Sequence, residues 1–464
     1  MPANVAPDAA EVFTLAESGQ MEGAFNAGYA ALKKDPVRMD LLEAMAFCFM
    51  KIDQWPLAYH LLHYVKDKVG PAPALLNNLA MNCSSLASCT GKDDFLDEAE
   101  KHLRKAWHKV ENGPAEINEI KGAVADNLAL SLVHKGEIRE AVKFADIGLK
   151  IDPNRNGLRE TLGYAQLMQG KFGEGFTNYE FAVGGKYRKP RPFGEEPYWT
   201  GEKGGTLLLH GEQGIGDEIS YASVIPDASK DNRIIYECDK RLEGLMKRSL
   251  PGVEVHGTRF AERTWDSSPD WNALTGSLCR VYRPTGESFP RRGYLLPDPE
   301  RVLQWRALLA SLPGRKVGIA WTGGLPNTFR SRRSFNLEGL LPILKLPGIT
   351  WVSLQYKDPT AEIAEFTAKH GIEIKHWERA VGKGVDYDDT AALVSELDCV
   401  VTVTTAIAHL AGALGKKALV LVPKRCRWFY CSDDNNHRWY ESLEMFRQEN
   451  KWPVERVAER LRCL

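Results

Sequence analysis

Long apolar stretches and an excess of one charge are both missing from this sequence of 464 residues. No stretch approaches the ~20 apolar residues that a membrane-spanning helix needs, so we expect no transmembrane segment. The chain carries 60 Lys and Arg against 61 Asp and Glu. Such a balanced charge gives no bulk attraction to nucleic acid, and we predict that nucleic acid is not a partner.

Paired cysteines and targeting signals are also scarce. The nine cysteines are scattered, and the closest pairs, Cys83/Cys89 and Cys426/Cys431, lack CxxC spacing. Residues 1–11 have neither the basic start nor the apolar run of a signal peptide. We therefore expect a cytoplasmic protein with reduced thiols, without a disulfide framework or a cysteine zinc site.

The two halves of the chain follow different patterns. Over the first ~185 residues apolar side chains recur every three or four positions, as at Leu41, Met45 and Phe49, which is typical of helices. In the second half, β-rich runs alternate with helical segments, which indicates parallel α/β layers. The predicted strands are Thr206–His210, Arg233–Glu237, Lys316–Trp321, Thr350–Gln355, Gly371–His376, Asp398–Thr402 and Lys417–Val422.

Small residues repeat through the helical half. Ala24 and Ala58 are 34 residues apart, as are Ala141 and Gly175, with Ala99 between them at longer steps. This spacing resembles a tetratricopeptide array of about five units, whose period is 34 residues and whose helices cross closely at small side chains. Such arrays commonly bind extended peptides; a spacer or dimerisation scaffold is the alternative.

A glycine-rich turn follows the first predicted strand of the second half. Its residues are Gly211, Glu212, Gln213, Gly214, Ile215 and Gly216, and Asp217 and Glu218 follow in the first turn of a predicted helix. The turn matches neither GxGxxG nor a P-loop. The two acids either complement the helix dipole or place one carboxylate in the cleft as a general base.

A second strand-to-helix turn lies in the last third of the chain. Thr404 or Thr405 is predicted to cap a helix that ends at Gly415, and its first N–H groups form an anion site. His409 lies one turn along the same face, as a structural residue or a ligand. The basic loop after Lys316–Gly324, which contains Arg330 and Arg333, is predicted to contact phosphate.

Together these motifs resemble a known family. They are GEQGIGDEI (211–219), VGIAWTGG (317–324), WVSLQ (351–355), DTAALVSELDCVVTVTTAIAHLAGALGK (389–416) and RWYESLEMFRQ (438–448). The chain resembles bacterial tetratricopeptide-repeat proteins with a heptosyltransferase-like glycosyltransferase domain, and its arrangement is similar to that of the protein O-GlcNAc transferases. The resemblance implies an α + α/β chain in which a helical array precedes two Rossmann-like lobes of the glycosyltransferase-B fold.

The resemblance also implies domain limits. The tetratricopeptide domain spans 1–185, a linker spans 186–202, the acceptor-side N-lobe spans 203–312 and the nucleotide-sugar-side C-lobe spans 313–464. The last helix, Val454–Leu464, is expected to cross back to the N-lobe.

The same resemblance assigns the site residues. Asp217 matches the catalytic base, and the acceptor-side loop contains Glu212, Gln213, Gly214 and Gly216. The residues expected to bind the nucleotide-sugar are Trp321, Thr322, Arg330, Arg333, Gln355, Thr404, Thr405, Ala406 and His409.

The predicted function is a metal-independent, inverting transfer of a sugar from a nucleotide-sugar to an acceptor, expected to be a protein held by the repeats. No cofactor and no metal are expected, because Asp386-Tyr387-Asp388 precedes a helix and is interpreted as its cap. Relatives carry Asp-Thr or Asp-Ser where this chain has Thr404-Thr405. A non-catalytic nucleotide-sugar-binding or scaffold protein therefore stays open as the alternative.

Overall fold

The fold is described from a computed structural model, which covers residues 6–185, 188, 196–212, 214–259, 261–324, 328–381, 386–431 and 437–464. The chain divides into two compact units. One contains Met1–Ala165 with Leu325–Arg330, and the other contains Gln166–Gly324 with Ser331–Leu464. Among the residues of these ranges, no helix combines the length and apolar character needed to cross a membrane.

Ten helices lie in the described residues of the first part of the chain. They are α1 (Pro7–Glu17), α2 (Met21–Leu32), α3 (Met39–Lys51), α4 (Trp55–Val69), α5 (Pro73–Thr90), α6 (Asp94–Val110), α7 (Asn118–Lys135), α8 (Ile138–Ile151), α9 (Asn156–Met168) and α10 (Phe172–Tyr179).

Among the described residues, α1 to α8 pair consecutively into four hairpins, as the tetratricopeptide spacing predicts. A fifth hairpin is formed where Gly175 of α10 packs closely on Leu167 of α9. The repeating small residues lie on the second helix of each hairpin, and all five are buried: Ala24, Ala58, Ala99, Ala141 and Gly175. The repeat also fixes where helices end, since Gly136 and Gly170 both adopt left-handed φ angles, of 82° and 75°. The helical array is therefore confirmed.

The fifth hairpin, formed by α9 and α10, differs from the others because it is divided between the two compact units. The boundary between the two units follows Ala165, inside α9, so α10 belongs to the second unit. Within that unit Phe172 packs on Phe289 with ring centroids 4.9 Å apart, and Phe176 packs on Trp428 at 5.5 Å. The last helix of the array therefore contributes to the core of the α/β unit.

The described part of the α/β unit contains two parallel sheets. Its strands are β1 (Thr206–His210), β2 (Arg233–Glu237), β3 (Glu254–His256), β4 (Trp271–Leu274), β5 (Arg315–Ala320), β6 (Ile349–Ser353), β7 (Ile374–Lys375), β8 (Cys399–Val403), β9 (Ala418–Val422) and β10 (Leu443–Arg447). The seven predicted strands are present, and the short β3 and β4 and the late β10 were not predicted as strands.

Ten further helices connect and cover these strands. They are α11 (Ile215–Ala222), α12 (Ile225–Ala228), α13 (Glu243–Ser249), α14 (Leu278–Tyr282), α15 (Pro299–Ala310), α16 (Leu341–Leu344), α17 (Thr360–His370), α18 (Tyr387–Glu396), α19 (Ala406–Ala413) and α20 (Val454–Arg462).

The strand orders locate the crevices of the two sheets. The first sheet has the order β3-β2-β1-β4, and the second has the order β7-β6-β5-β8-β9-β10. In each sheet, successive strands are first added on one side of the first strand, and the later strands lie on its other side. This reversal of the strand order lies between β1 and β4 in the first sheet and between β5 and β8 in the second. In open parallel sheets ligands bind at the carboxyl ends of the strands at this switch point. The two turns singled out in the sequence, after β1 and after β8, both lie there.

The C-terminal helix α20 differs from expectation. Its buried residues Val454, Val457, Ala458 and Leu461 belong to the apolar core of the second sheet. Arg315 of β5 also donates a hydrogen bond to the Leu461 carbonyl at 2.8 Å. The expected crossing to the first lobe is therefore corrected: the apolar face of α20 is buried against the sheet of its own lobe.

Candidate functional site

The turn after β8 opens helix α19 at the switch point of the second sheet. Thr405 has extended backbone angles, φ −132° and ψ 176°, and its Oγ1 accepts a hydrogen bond from the Ile407 N–H at 3.1 Å. Thr405 is thus the N-cap, which confirms one of the two predicted caps. The remaining N–H groups of the first turn and the helix dipole favour an anion here.

The loop after β5 closes on the same turn. A β-carbon on Gly323 would lie 2.4 Å from Thr405 Cγ2, so only glycine permits this approach. Arg333, at the end of this loop, donates from Nη1 to the carbonyl oxygen of the buried Thr404 at 3.3 Å. The structure therefore brings Thr404, Thr405 and Arg333 together, and it adds a cation to the helix N-terminus.

Two other predicted ligands have structural roles. Trp321 is fully buried in the core of the second sheet, and its indole N–H donates to Glu362 Oε2 at 3.0 Å. Gln355 is buried as well; its Oε1 accepts from the Trp321 and Thr322 backbone N–H groups at 3.3 and 3.1 Å, and its Nε2 donates to Thr322 Oγ1. We therefore reassign the side chains of Trp321 and Gln355 from ligand binding to the shaping of the β5 loop, in which Thr322 is partly buried.

The glycine turn after β1 opens helix α11 with Gly214 as the N-cap. Gly216 differs from expectation. A β-carbon on this residue would lie 2.9 Å from His409 Cδ2 and 3.0 Å from Ala406 Cα. The resemblance placed Gly216 in the acceptor-side loop. Its missing side chain instead lets α11 pack directly on the start of α19, so the two turns meet.

Asp217 lies at this junction and is paired with a cation. Arg427 Nη1 lies 3.2 Å from Asp217 Oδ1 and 3.4 Å from Oδ2, and the Gly214 N–H donates to Oδ2 at 3.3 Å. The Asp217 side chain is 13% exposed, whereas that of Arg427 is 43% exposed. A carboxylate of the first sheet and a cation of the second sheet therefore form an ion pair beside α19.

Glu218 points the other way, into the core of the first sheet. Its carboxylate accepts from Arg259 Nη1 at 2.6 Å and from the Asp239 N–H at 2.8 Å. Burial raises the pKa of Glu218 to about 7, although Arg259 opposes the shift. Of the two adjacent acids, only Asp217 faces the second sheet.

Glu212 fills the switch point of the first sheet. Its Oε1 accepts from the Gly276 N–H at 2.8 Å, and its Oε2 accepts from Arg188 Nε at 2.8 Å. Both charged side chains are nearly fully buried, and Arg188 also pairs with Glu180 at 3.0 Å. Glu212 was predicted to face an acceptor, but this buried pair occupies both of its oxygens.

His409 joins the two turns through both ring nitrogens. Nδ1 lies 2.7 Å from Ser220 Oγ on α11, and Nε2 lies 2.9 Å from Tyr430 Oη. Burial lowers the pKa of His409 to about 4, so the ring is neutral near pH 7. A neutral ring with two hydrogen-bonding partners holds the turns together, which is the structural alternative considered for this residue.

Three further predictions have different outcomes. Asp386 caps α18 by accepting from the Asp388 N–H at 2.8 Å, which confirms the interpretation of Asp386-Tyr387-Asp388 as a cap. Arg330 belongs to the compact unit of the helical half and is not assigned to this site. Gln213 lies outside the described residues.

Arg427 is the main site residue that sequence reasoning missed. It follows the predicted strand Lys417–Val422 in the basic run Lys424, Arg425 and Arg427. A basic loop after a parallel strand is the same signal that singled out Arg333, so it could have been found. The partners of His409, Ser220 and Tyr430, carry no comparable signal because they come from elements far apart in sequence.

A surface cleft of about 620 Å³ lies along the same unit, and it includes none of the residues above. Its walls come from α17 and from the segment that contains β7 and the residues after it. The lining residues are Thr360, Ile363, Ala364, Ile374, His376, Trp377, Glu378 and Arg379. An indole and an imidazole side chain make this cleft suited to a flat aromatic ring.

No protein-family model matches the chain. The chain is 31% identical over 421 residues to Protein FlbA of Caulobacter vibrioides, a region that covers 84% of this chain and 67% of that protein. A match of this length includes residues of both compact units.

Similar solved structures include two helical proteins. A thermophilic TPR protein of Thermus thermophilus is 16% identical with a TM-score of 0.33, over 38% of this chain and 89% of that chain. PilF of Pseudomonas aeruginosa is 17% identical with a TM-score of 0.31, over 38% of this chain and 74% of that chain. At these TM-scores the likeness carries no functional information.

Proposed function

The chain belongs to the FlbA family, and from this premise and the geometry of the two turns we propose that it is a glycosyltransferase. In this proposal it moves a sugar from a nucleotide-sugar to a protein acceptor, with inversion and without a metal ion. The observation that carries the proposal is the position of Asp217: it follows Gly216, which packs on Ala406 in the first turn of α19, and it is paired with Arg427.

The proposed fold is glycosyltransferase-B, with the two parallel sheets as its two Rossmann-like lobes. Such a lobe binds a diphosphate at the first turn of the helix that follows a strand at the switch point. Among the described residues, Arg333 donates to the turn of the second sheet at Thr404, and Arg427 of the same sheet pairs with Asp217 across the junction of the two turns. We therefore assign the nucleotide-sugar to the second lobe and the acceptor to the first.

The cleft beside β7 is the proposed position of the nucleotide base. Because the strands of the second sheet are parallel, the residues after β7 and the start of α19 share one sheet edge. Three strand spacings separate β8 from β7, about 14 Å. A nucleoside diphosphate can extend along this edge, with its phosphates at Thr405 and its base against Trp377.

The chemical step needs a base and a stabilised leaving group. In the proposed reaction Asp217 removes the proton of an acceptor hydroxyl, whose oxygen attacks the anomeric carbon as the bond to the diphosphate oxygen breaks. The leaving diphosphate keeps the electron pair, and the N–H groups of α19 with Arg333 and Arg427 stabilise its charge. A positioned base contributes roughly 10²–10⁴-fold.

In this mechanism, the pairing of Arg427 makes the action of Asp217 as a base depend on donor binding. Without a phosphate, Arg427 is paired with Asp217, so the arginine lies against the carboxylate that would receive the acceptor proton. A bound diphosphate offers Arg427 a more highly charged partner, to which its planar fork is well suited. Donor binding would then release Asp217 to act as the base.

The alternative is a protein that binds a nucleotide-sugar without turning it over. Two observations favour it: Asp217 is already in an ion pair, and Gly216, which the resemblance placed in the acceptor-side loop, packs against Ala406. Release of nucleoside diphosphate from a nucleotide-sugar separates the two candidates. Turnover supports the enzyme, and binding without turnover supports the alternative.

Asp217→Asn tests the catalytic assignment, because it keeps the size of the side chain and removes the base. We expect turnover to fall by roughly 10²–10⁴-fold, with nucleotide-sugar affinity nearly unchanged. Glu218→Gln is the matched control, since its carboxylate faces Arg259, and it should retain turnover at temperatures where it stays folded. Full turnover by Asp217→Asn, or equal losses in both variants, would show that Asp217 is not the base.

The helical unit is the proposed binding site for the polypeptide acceptor. Its hairpin array is a common scaffold for extended peptides. Removal of residues 1–151 deletes four hairpins and keeps α9 and α10, which contribute residues to the second unit. We expect such a protein to retain donor hydrolysis and to lose transfer to protein; unchanged transfer would exclude this role.

A further inference from the structure

Three titratable side chains of the helical unit meet at one point. His63 lies on α4, and Glu98 and His102 lie one turn apart on α6. His63 Nε2 is 3.0 Å from Glu98 Oε1, and His102 Nε2 is 3.3 Å from the same oxygen. The potential ligand atoms of the three residues all lie within 4.8 Å of one another.

Simple ion pairing does not account for this cluster. His63 Nε2 lies 3.0 Å from Glu98 Oε1 but is not aligned for a hydrogen bond to it, so this buried nitrogen has no hydrogen-bond partner among the described residues. An unpartnered imidazole nitrogen that faces a carboxylate and a second imidazole is an arrangement that a metal ion can fill.

The distances suit a tetrahedral ion. Zn²⁺ takes imidazole nitrogen and carboxylate oxygen at about 2.0–2.2 Å, which places neighbouring ligand atoms of a tetrahedron about 3.3–3.6 Å apart. The two observed nitrogen–oxygen distances are 3.0 and 3.3 Å. Two histidines and one carboxylate also form a common ligand set for this ion, with a fourth position left for water.

Outer groups hold the carboxylate in place. Tyr59 Oη donates to Glu98 Oε2 at 2.9 Å, which leaves Oε1 directed toward the two rings. Such a hydrogen bond orients a ligating carboxylate.

We infer that His63, Glu98 and His102 bind a divalent transition-metal ion of the zinc type, a site separate from the proposed transfer chemistry. The ion would link α4 to α6, the second helices of consecutive hairpins, and so fix the register of the array.

Lys66 is the side chain that opposes the binding of this ion. Its Nζ lies 2.9 Å from His63 Nδ1, so it donates to that nitrogen and leaves the proton on Nε2. Metal binding needs the proton on Nδ1 instead, and Lys66 would then turn toward Asp67, whose Oδ1 is 3.8 Å away. Lys66→Gln replaces this donor by an amide oxygen that accepts from Nδ1–H.

Calorimetry with Zn²⁺ and absorption spectroscopy with Co²⁺ on the full chain test the inference. The wild type should bind one ion at this site and give the visible bands of tetrahedral Co²⁺. Glu98→Gln and His102→Gln keep side-chain volume and should weaken that binding by about 100-fold or more, and Lys66→Gln should strengthen it by about tenfold. His60→Ala and His108→Ala remove exposed histidines of the same two helices and should change neither signal.

The outcomes separate a metal site from a hydrogen-bonded cluster. Binding that Glu98→Gln leaves unchanged would place the ion elsewhere and overturn the inference. Absence of a stoichiometric Co²⁺ spectrum in the wild type would overturn it as well. Should Glu98→Gln unfold, as judged by circular dichroism, Lys66→Gln and His60→Ala decide the question, since neither removes a ligand: tighter binding by Lys66→Gln with no change in His60→Ala supports the site, and equal affinities of the two variants overturn it.

Discussion

The chain passes from a parallel strand into a helix at two switch points, after β1 and after β8, and the two turns differ in charge. The first turn contains Glu212, Asp217 and Glu218. The second has no acidic residue between Thr402 and Ala413, and Arg333 lies beside it. The same backbone geometry is thus combined with opposite electrostatics.

The difference shows how the protein assigns roles to similar turns. In the first, Glu212 occupies the crevice itself through the Gly276 N–H and Arg188. In the second, the capping threonine leaves the helix N-terminus with cations nearby. Backbone geometry alone would allow an anion at either turn, but a buried carboxylate already fills the first. Charge therefore selects the second turn for a diphosphate.

Arg188, which pairs with Glu212, and Arg427, which pairs with Asp217, should respond to mutation very differently. Arg188 is buried in its pair with Glu212, and removal of one partner of a buried pair costs about 3–5 kcal/mol. Arg427 is 43% exposed, and an exposed pair contributes at most about 1 kcal/mol. We expect Arg188→Met to lower the free energy of unfolding strongly, whereas Arg427→Met should leave it nearly unchanged and weaken nucleotide binding. Urea denaturation measures the free energy of unfolding of both variants. Similar losses of unfolding free energy in the two variants would contradict this prediction.

The two turns should also respond in opposite directions to pH. The pKa of Glu218 is about 7, above its ordinary 4.5, so its contribution to stability is present below pH 4.5 and is lost as pH rises toward 7. The pKa of His409 is about 4, below its ordinary 6.5, so its contribution is present above pH 6.5 and is lost as pH falls toward 4. Each shift corresponds to about 3 kcal/mol, because one pH unit is worth about 1.4 kcal/mol.

Two variants separate these opposing contributions. Relative to the wild type, Glu218→Gln should lose more stability on acidification from pH 7 to 4.5, since only His409 still titrates. His409→Gln should lose less over the same range. Unfolding free energies measured across this range check the prediction, and parallel pH profiles for the three proteins would contradict it.

Much of the fold could be predicted because its signals are local. The 34-residue spacing of Ala24, Ala58, Ala141 and Gly175 identified the second helix of each of their hairpins. The strands β1 and β2 and the helix α11 were located by apolar runs and glycine. The segment β3 escaped because three residues, two of them polar, carry little periodicity. The packing of α20 depends on the apolar core against which its apolar face is buried. No local sequence pattern specifies that core.

The site was predictable only where a local pattern coincided with a chemical role. The cap at Thr405 and the acid at Asp217 follow from residue type and position in a turn. The ion pair of Asp217 with Arg427 joins residues 210 positions apart. The burial of Trp321 and Gln355, and the packing of Gly216 on Ala406, also depend on tertiary contacts. These contacts turned three expected ligand-facing residues into structural ones.

The central claim is that a nucleoside diphosphate binds at the second turn and not at the first. Proline at the first position of each helix tests it, because it removes one N–H that the helix itself does not use. The preceding residues, Thr405 and Gly214, are already extended, with ψ angles of 176° and 166°, as a following proline requires.

The decisive measurement is calorimetric titration of Ala406→Pro and Ile215→Pro with the common nucleoside diphosphates. A hydrogen bond to a charged group contributes about 1.5–3 kcal/mol. We therefore expect Ala406→Pro to bind the preferred nucleotide at least about tenfold more weakly, and Ile215→Pro to bind it like the wild type. Equal affinity in the two variants, or a loss confined to Ile215→Pro, would contradict the account.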